Sequence, residues 1–224
     1  MNIIALAAFG QSFLDRACNT IIDSAKAFEA AGLHPVIFTD TPIQGFHCLA
    51  PPDRILEQFA GAPAMLARWC KIHALELLSC HISICADADL TLETPSALPA
   101  LLDTAARFGF VVTHHPSTTW FREPLTIAQR LIYYSDQGMI QYAPLYMCGV
   151  VARDHRDDRA RTLSTAWARE FDQHAVDSGD VREQPTLAAA SWACGVAPLA
   201  SPLSLLAWPQ SAQAHCPPVW RHTP

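Results

Sequence analysis

Short apolar runs alternate with longer helical stretches through the first half of this 224-residue chain. Ile3 to Phe9, Pro35 to Thr39, His81 to Ala86 and Phe110 to Thr113 are nearly continuous in apolar residues. Runs of that kind read as strands buried on both faces. Between them, Asp15 to Ala31 (closed by Gly32), Ala62 to Leu78 and Pro95 to Arg107 carry the spacing of amphipathic helices. In the second of these, Leu66, Trp69 and Ile72, with Leu75 or Leu77, share an inward face. A Pro- and Gly-bearing loop, Thr41 to Pro52, separates it from the second strand. The alternation predicts an α/β fold with a mostly parallel central sheet and helices on both faces. Ligands of such sheets bind beyond the C-terminal ends of strands. Asp40, Asp87, His114 and His115 fall at such ends.

The second half is less regular. Glu123 to Gln137 reads as a helix that starts on Pro124 and stops at Gly138. Leu145 to Ala152 reads as a strand, Asp157 to Asp177 as a long helix with Leu163, Trp167 and Phe171 on one stripe, and Pro185 to Trp192 as a short helix. Six prolines between Pro198 and Pro224 forbid a helix there. The expected organisation is one domain over residues 1–195, with residues 196–224 as an extended tail packed on it.

Composition narrows the function classes. Half the residues are hydrophobic and 16% are charged, enough for a sizeable core. The net charge is −6, Lys26 and Lys71 are the two lysines, and no basic run occurs. Duplex nucleic acid, whose phosphates demand clustered positive charge, is thereby a poor partner. Eight cysteines form no Cys-x-x-Cys pair and sit mostly in apolar company. They read as core thiols of a reducing compartment and not as a zinc site. The apolar start, Met1 to Phe9, reads as a first strand instead of a leader. No run is long enough for a membrane span. A cytoplasmic location is expected.

The chemistry is concentrated at Asp87-Ala88-Asp89, directly after the apolar run His81 to Ala86. On extended backbone, carboxylates two residues apart point the same way. Like charges so placed attract a cation, and oxygen ligands of this type suit Mg²⁺ or Mn²⁺. A divalent ion there would hold a diphosphate, which points to a nucleotide-linked substrate. Asp-x-Asp is also a common way to end a strand, its carboxylates capping a turn.

The order of residues around this pair resembles a known pattern. Lys71 with its helix, then an apolar strand, then Asp87-Ala-Asp89 is similar to the donor half of GT-A glycosyltransferases. His114-His115, Arg122-Glu123, Gln129, Gln141-Tyr142, Cys148-Gly149 through Arg153 and His155, Trp167 through Glu170, Ser178 and Arg182-Glu183-Gln184 follow in order. That succession, over roughly residues 1–195, resembles a glycosyltransferase-like family formerly listed as a domain of unknown function, found in bacteria and in plant Golgi proteins linked to mucilage and pollen.

The resemblance implies a metal-dependent glycosyltransferase using a nucleotide-sugar donor and an unidentified acceptor, whether glycan, small molecule or protein. Asp87 and Asp89 would hold Mn²⁺ or Mg²⁺ against the diphosphate, with His222 or His215 from the tail as a third ligand. Lys71 would contact the diphosphate or nucleotide. Glu183 matches the acidic residue set opposite the sugar, to deprotonate an acceptor hydroxyl or bind donor hydroxyls. The family pattern usually has Asp there. His115, Arg122 and Gln184 complete the expected donor-binding set, and Arg153 is a further candidate to bind a substrate carboxylate or phosphate. Two other readings stand beside this one. A protein of the same fold would bind the nucleotide sugar without turning it over. A haloacid-dehalogenase-like phosphohydrolase would use Asp87 as nucleophile, but needs a later lysine, and none follows Lys71.

Overall fold

The computed structural model describes residues 1–114, 146–178, 183–201, 206–207 and 219–222. The strands are β1 (Asn2–Ala7), β2 (Leu33–Phe38), β3 (Cys48–Leu49), β4 (Ile82–Asp87), β5 (Leu90–Leu92), β6 (Phe110–His114), β7 (Tyr146–Asp154), β8 (Leu199–Ala200), β9 (Leu206–Ala207) and β10 (Trp220–His222). The helices are α1 (Gln11–Ala30), α2 (Asp53–Gln58), α3 (Pro63–Ile72), α4 (Ala74–Leu77), α5 (Leu98–Phe108), α6 (Asp158–Ser178) and α7 (Glu183–Cys194). The expected helix over Glu123–Gln137 lies outside the described residues.

Seven strands form one sheet in the order β3-β2-β1-β4-β7-β6-β8. β1 pairs in parallel with β2 and with β4, β2 with β3 and β6 with β8, while β7 runs antiparallel to both β4 and β6. The mostly parallel α/β sheet expected from the alternation is therefore present, with β7 reversed. A second, small sheet joins β10 antiparallel to β5 and parallel to β9.

The near-continuous apolar strands have the reason anticipated for them. Ile3, Ala5 and Ala7 pack in a core with Trp69, Ile72, Trp167 and Phe171, while Ile4 and Leu6 pack with Leu14, Ile21, Phe28 and Leu101. Successive residues of one strand thus feed opposite cores. Each fully buried large aliphatic side chain contributes about 1.5–3 kcal/mol.

Boundaries differ from the sequence reading where local geometry intervenes. The long helix expected over Ala62–Leu78 is broken at His73. There the ring stacks on Trp69 at 4.0 Å and meets Asp172 Oδ1 on α6 at 3.0 Å. The helix after β1 starts earlier than expected, immediately after Gly10 with φ 89°. Gly109, φ 79°, ends α5, and a Cβ there would collide with the Asp157 carboxylate. That carboxylate accepts the Ala160 N–H at 2.7 Å and caps the start of α6. α2 has no strong apolar period in the sequence and was not anticipated. Among the described residues no helix is long and apolar enough to cross a membrane.

Candidate functional site

The C-terminal ends of β1 and β4 lie side by side, with Ala7 paired to Asp87. Above them opens a cleft of about 190 Å³, lined by Phe9 and Phe13 on one side, Pro63, Ala67 and Arg68 of α3 on another, and Asp87, Ala88 and Asp89 at the end of β4. Asp87 is the last residue of β4, and Ala88-Asp89 form the turn into β5. The two acids therefore straddle a strand end, and both still line the cleft while Ala88 is buried.

Beneath the cleft four charges form a chain. Arg68 and Lys71 stand one turn apart on α3, a spacing that puts them on one face. Arg68 Nε donates to Glu183 Oε2 at 2.6 Å, Lys71 Nζ donates to Glu183 Oε1 at 2.7 Å and to Asp87 Oδ1 at 2.6 Å. Both oxygens of Glu183 are thus taken by cations. The Lys71 side chain is 1% exposed and that of Glu183 6%, whereas Arg68 is 29% and Asp87 38% exposed. The inner two charges are sealed and the outer two face the cleft.

The protonation of these groups follows from the arrangement. Burial alone works against the Lys71 charge, but Asp87 and Glu183 outweigh it and raise its pKa. Burial likewise favours protonated Glu183, yet Lys71 and Arg68 hold its pKa below the ordinary glutamate value. Asp87 goes the other way. Burial pushes it up to about 6, with Glu183 and Asp89 adding to the effect against the pull of Lys71. More negative than positive charge meets at Asp87, which is the condition a bound cation would relieve.

A second set of contacts fixes the chain in place. Glu183 begins α7, where the helix dipole favours an acid. Its carbonyl accepts from Trp167 Nε1 at 3.3 Å and from Thr186 Oγ1 at 2.8 Å. Arg153, fully buried, donates Nη1 to the Ile72 carbonyl at 3.1 Å and lies 5.1 Å and 5.2 Å from the ring centres of Phe110 and Trp167. It therefore ties the end of α3, next to Lys71, to the Trp167 ring that holds Glu183. On the far side of α3, Trp69 Nε1 donates to Asp172 at 3.1 Å.

Solved proteins match this architecture. No family model matches the chain, and no curated protein does. The structure of the galactosyltransferase LgtC in complex with donor and acceptor sugar analogs matches with a TM-score of 0.62 at 14% identity, covering 99% of this chain and 86% of that one. The apo structure of mouse xyloside xylosyltransferase 1 matches with a TM-score of 0.61 at 7% identity, covering 100% and 98%. The fold is GT-A. Identities this low speak for the fold alone.

On the GT-A sheet the residues singled out in the sequence fall as follows. Asp87 and Asp89 line the cleft, Lys71 and Glu183 lie beneath it, and Gln184 follows Glu183 in the first turn of α7, half-buried. Arg153 is in the core and does not line the cleft. Asp40 is exposed and stands apart from the cleft lining. His115, Arg122 and His215 lie outside the described residues. For His222 the backbone alone is described, and β10 pairs it with Leu90, next to Asp89. Among the described residues no group of three His, Cys, Asp or Glu side chains is arranged to hold a metal. Sequence reasoning missed Arg68 and the Trp167–Arg153 support. A signal for Arg68 was present, since it stands three residues before Lys71 on the same helix.

Proposed function

We propose that this chain is a metal-dependent glycosyltransferase that draws on a nucleotide-sugar donor. The observation that carries the reading is the position of Asp87 and Asp89 in a cleft at the C-terminal edge of a GT-A sheet, in ionic contact with Glu183 through Lys71. The excess of acids at Asp87 fits a divalent cation held by Asp87 and Asp89, because Mg²⁺ and Mn²⁺ take one or two carboxylates and complete their shell with phosphates. The backbone register that brings His222 beside Asp89 supports a ligand from the tail. When bound, such an ion neutralises charge on a departing diphosphate.

The chain's own residues do the remaining work. Lys71 holds Asp87 at the cleft by its ion pair and, together with Arg68, balances two of the three acids Asp87, Asp89 and Glu183. Phe9, Phe13 and Pro63 give the donor an apolar wall that excludes water. We read residues 1–195 as one domain with 196–224 packed on it, in keeping with the burial of Val219 and Trp220 and the pairing of β8 with β6. One observation favours a second reading, a protein that binds donor without turnover: both Glu183 oxygens are occupied, which leaves it poorly placed to take a proton.

A thermal-shift screen of nucleotide sugars, with and without Mn²⁺, tests donor binding. A true donor at a hundred times its Kd adds about 2.7 kcal/mol of stability. The shift requires Mn²⁺, strengthens as pH rises through about 6, where Asp87 ionises, and disappears in Asp87→Asn with Asp89→Asn. A shift untouched by that double variant refutes the donor site. Chromatographic detection of released nucleoside diphosphate separates an enzyme from a binding protein.

A further inference from the structure

The resemblance implies that Lys71 meets the diphosphate or the nucleotide. Its ammonium is instead enclosed at 1% exposure, with Asp87 and Glu183 on it at 2.6 Å and 2.7 Å. Among the described residues that line the cleft, Arg68 is the cation. Among the described residues its guanidinium is held by the Nε contact to Glu183. Nη1 is buried and has no hydrogen-bond partner among the described residues. A buried donor left unmade costs the desolvation of that group; Arg153 Nε and Nη2 in the core share this state, so Arg68 is set apart by its place in the cleft lining. The planar fork of arginine suits two oxygens of one anion, and fixing one edge of it removes much of the entropy lost on binding.

We propose that Arg68 is the anion-binding group of this cleft, oriented from behind by Glu183, and that it takes the diphosphate of the donor. The assignment rests on the donor reading above and goes further, by moving the cationic role from Lys71 to Arg68. Position favours a diphosphate over other anions. Asp87 and Asp89 share the cleft with Arg68, and their own charge repels an anion unless a divalent cation stands between them. A diphosphate has oxygens enough to meet both the cation and the arginine. Glu183 is then a positioning residue. Each of its oxygens holds a cation, one aimed at the ligand and the other at Asp87.

Calorimetric titration of the full chain with inorganic pyrophosphate, uridine diphosphate and uridine, each with Mn²⁺ present, tests the assignment. Arg68→Gln is expected to weaken pyrophosphate and the nucleoside diphosphate by roughly ten- to a hundredfold, the worth of one charge-assisted contact, and to leave uridine affinity unchanged. Arg68→Lys keeps the charge and the pairing to Glu183 but loses the fork, and falls between the two. If Arg68→Gln does not fold, Arg68→Lys carries the test: equal affinity for pyrophosphate in Arg68→Lys and wild type overturns the proposal. Binding of both phosphates to Arg68→Gln within twofold of wild type overturns it too, and leaves the donor reading intact. Arg68-dependent pyrophosphate binding without turnover of any nucleotide sugar upholds the anion site and removes the glycosyltransferase. Absence of phosphate binding in wild type removes both.

Discussion

Lys71 and Arg153 are both fully buried cations, Arg153 donating to the carbonyl of Ile72 next to Lys71, and the fold accommodates them in opposite ways. Lys71 meets two carboxylates. Arg153 meets no carboxylate among its described contacts; it has a peptide carbonyl and the faces of Phe110 and Trp167, and burial lowers its pKa. The difference teaches where the chain has placed its chemistry. One of the carboxylates on Lys71, Asp87, also lines the cleft. Arg153 does not line the cleft; ring faces and one hydrogen bond hold it, with Nε and Nη2 left without a hydrogen-bond partner among the described residues.

Removing one partner of a buried ion pair is costly, because it strands the other charge. Lys71→Met is therefore expected to lose roughly 3–5 kcal/mol in chemical denaturation. A loss under about 1 kcal/mol would mean that Asp87 and Glu183 do not depend on Lys71. Arg153→Met strands no carboxylate. It should lose about 1–2 kcal/mol, the worth of its ring contacts and one hydrogen bond. If it costs as much as Lys71→Met, the contrast between the two sites fails.

The pH dependence of stability sharpens the same contrast at a smaller scale. Asp87 has a raised pKa, so its contribution is present at low pH and is lost as pH rises through about 6. Glu183 has a depressed pKa, so its contribution is present at neutral pH and is lost as pH falls below the ordinary glutamate range. Asp87→Asn removes the first of these opposed slopes. Urea titrations between about pH 4 and 6 should then show stability rising more steeply with pH than in wild type. An unchanged slope would show that Asp87 titrates normally.

The smallest effect lies at the other end of β4. His155, beside Ser83 at 2.8 Å, is pushed down to about 4 by burial and by Arg153. Its contribution is present above the ordinary histidine value and is lost as pH falls toward about 4. His155→Gln should flatten that fall slightly and leave the proposed Mn²⁺-dependent donor binding as it is in wild type. A change in metal binding instead would couple the two ends of the strand.

Much of the fold was legible in the sequence because parallel strands buried on both faces must be apolar throughout, and that signal survives without any partner in view. β1, β2, β4 and β6 were placed within a few residues for that reason. The break at His73 was not legible, since it depends on Asp172, a hundred residues away in sequence. Asp87 and Asp89 stood out by spacing, and Lys71 by its rarity. Arg68 did not stand out, because an arginine on a helix face looks the same whether it meets water or a buried glutamate.

The sequence by itself determined which residues are chemically available: a pair of acids after an apolar strand, a lysine one helix earlier, an acid at the start of a late helix. The tertiary structure alone decided what each of them meets. Glu183 reaches Lys71 from 112 residues away, and that meeting buries the lysine and leaves Arg68 at the cleft. Residue type and spacing set local geometry, but a charge takes its role from its neighbours in space, and those are fixed only when α3, β4 and α7 pack together.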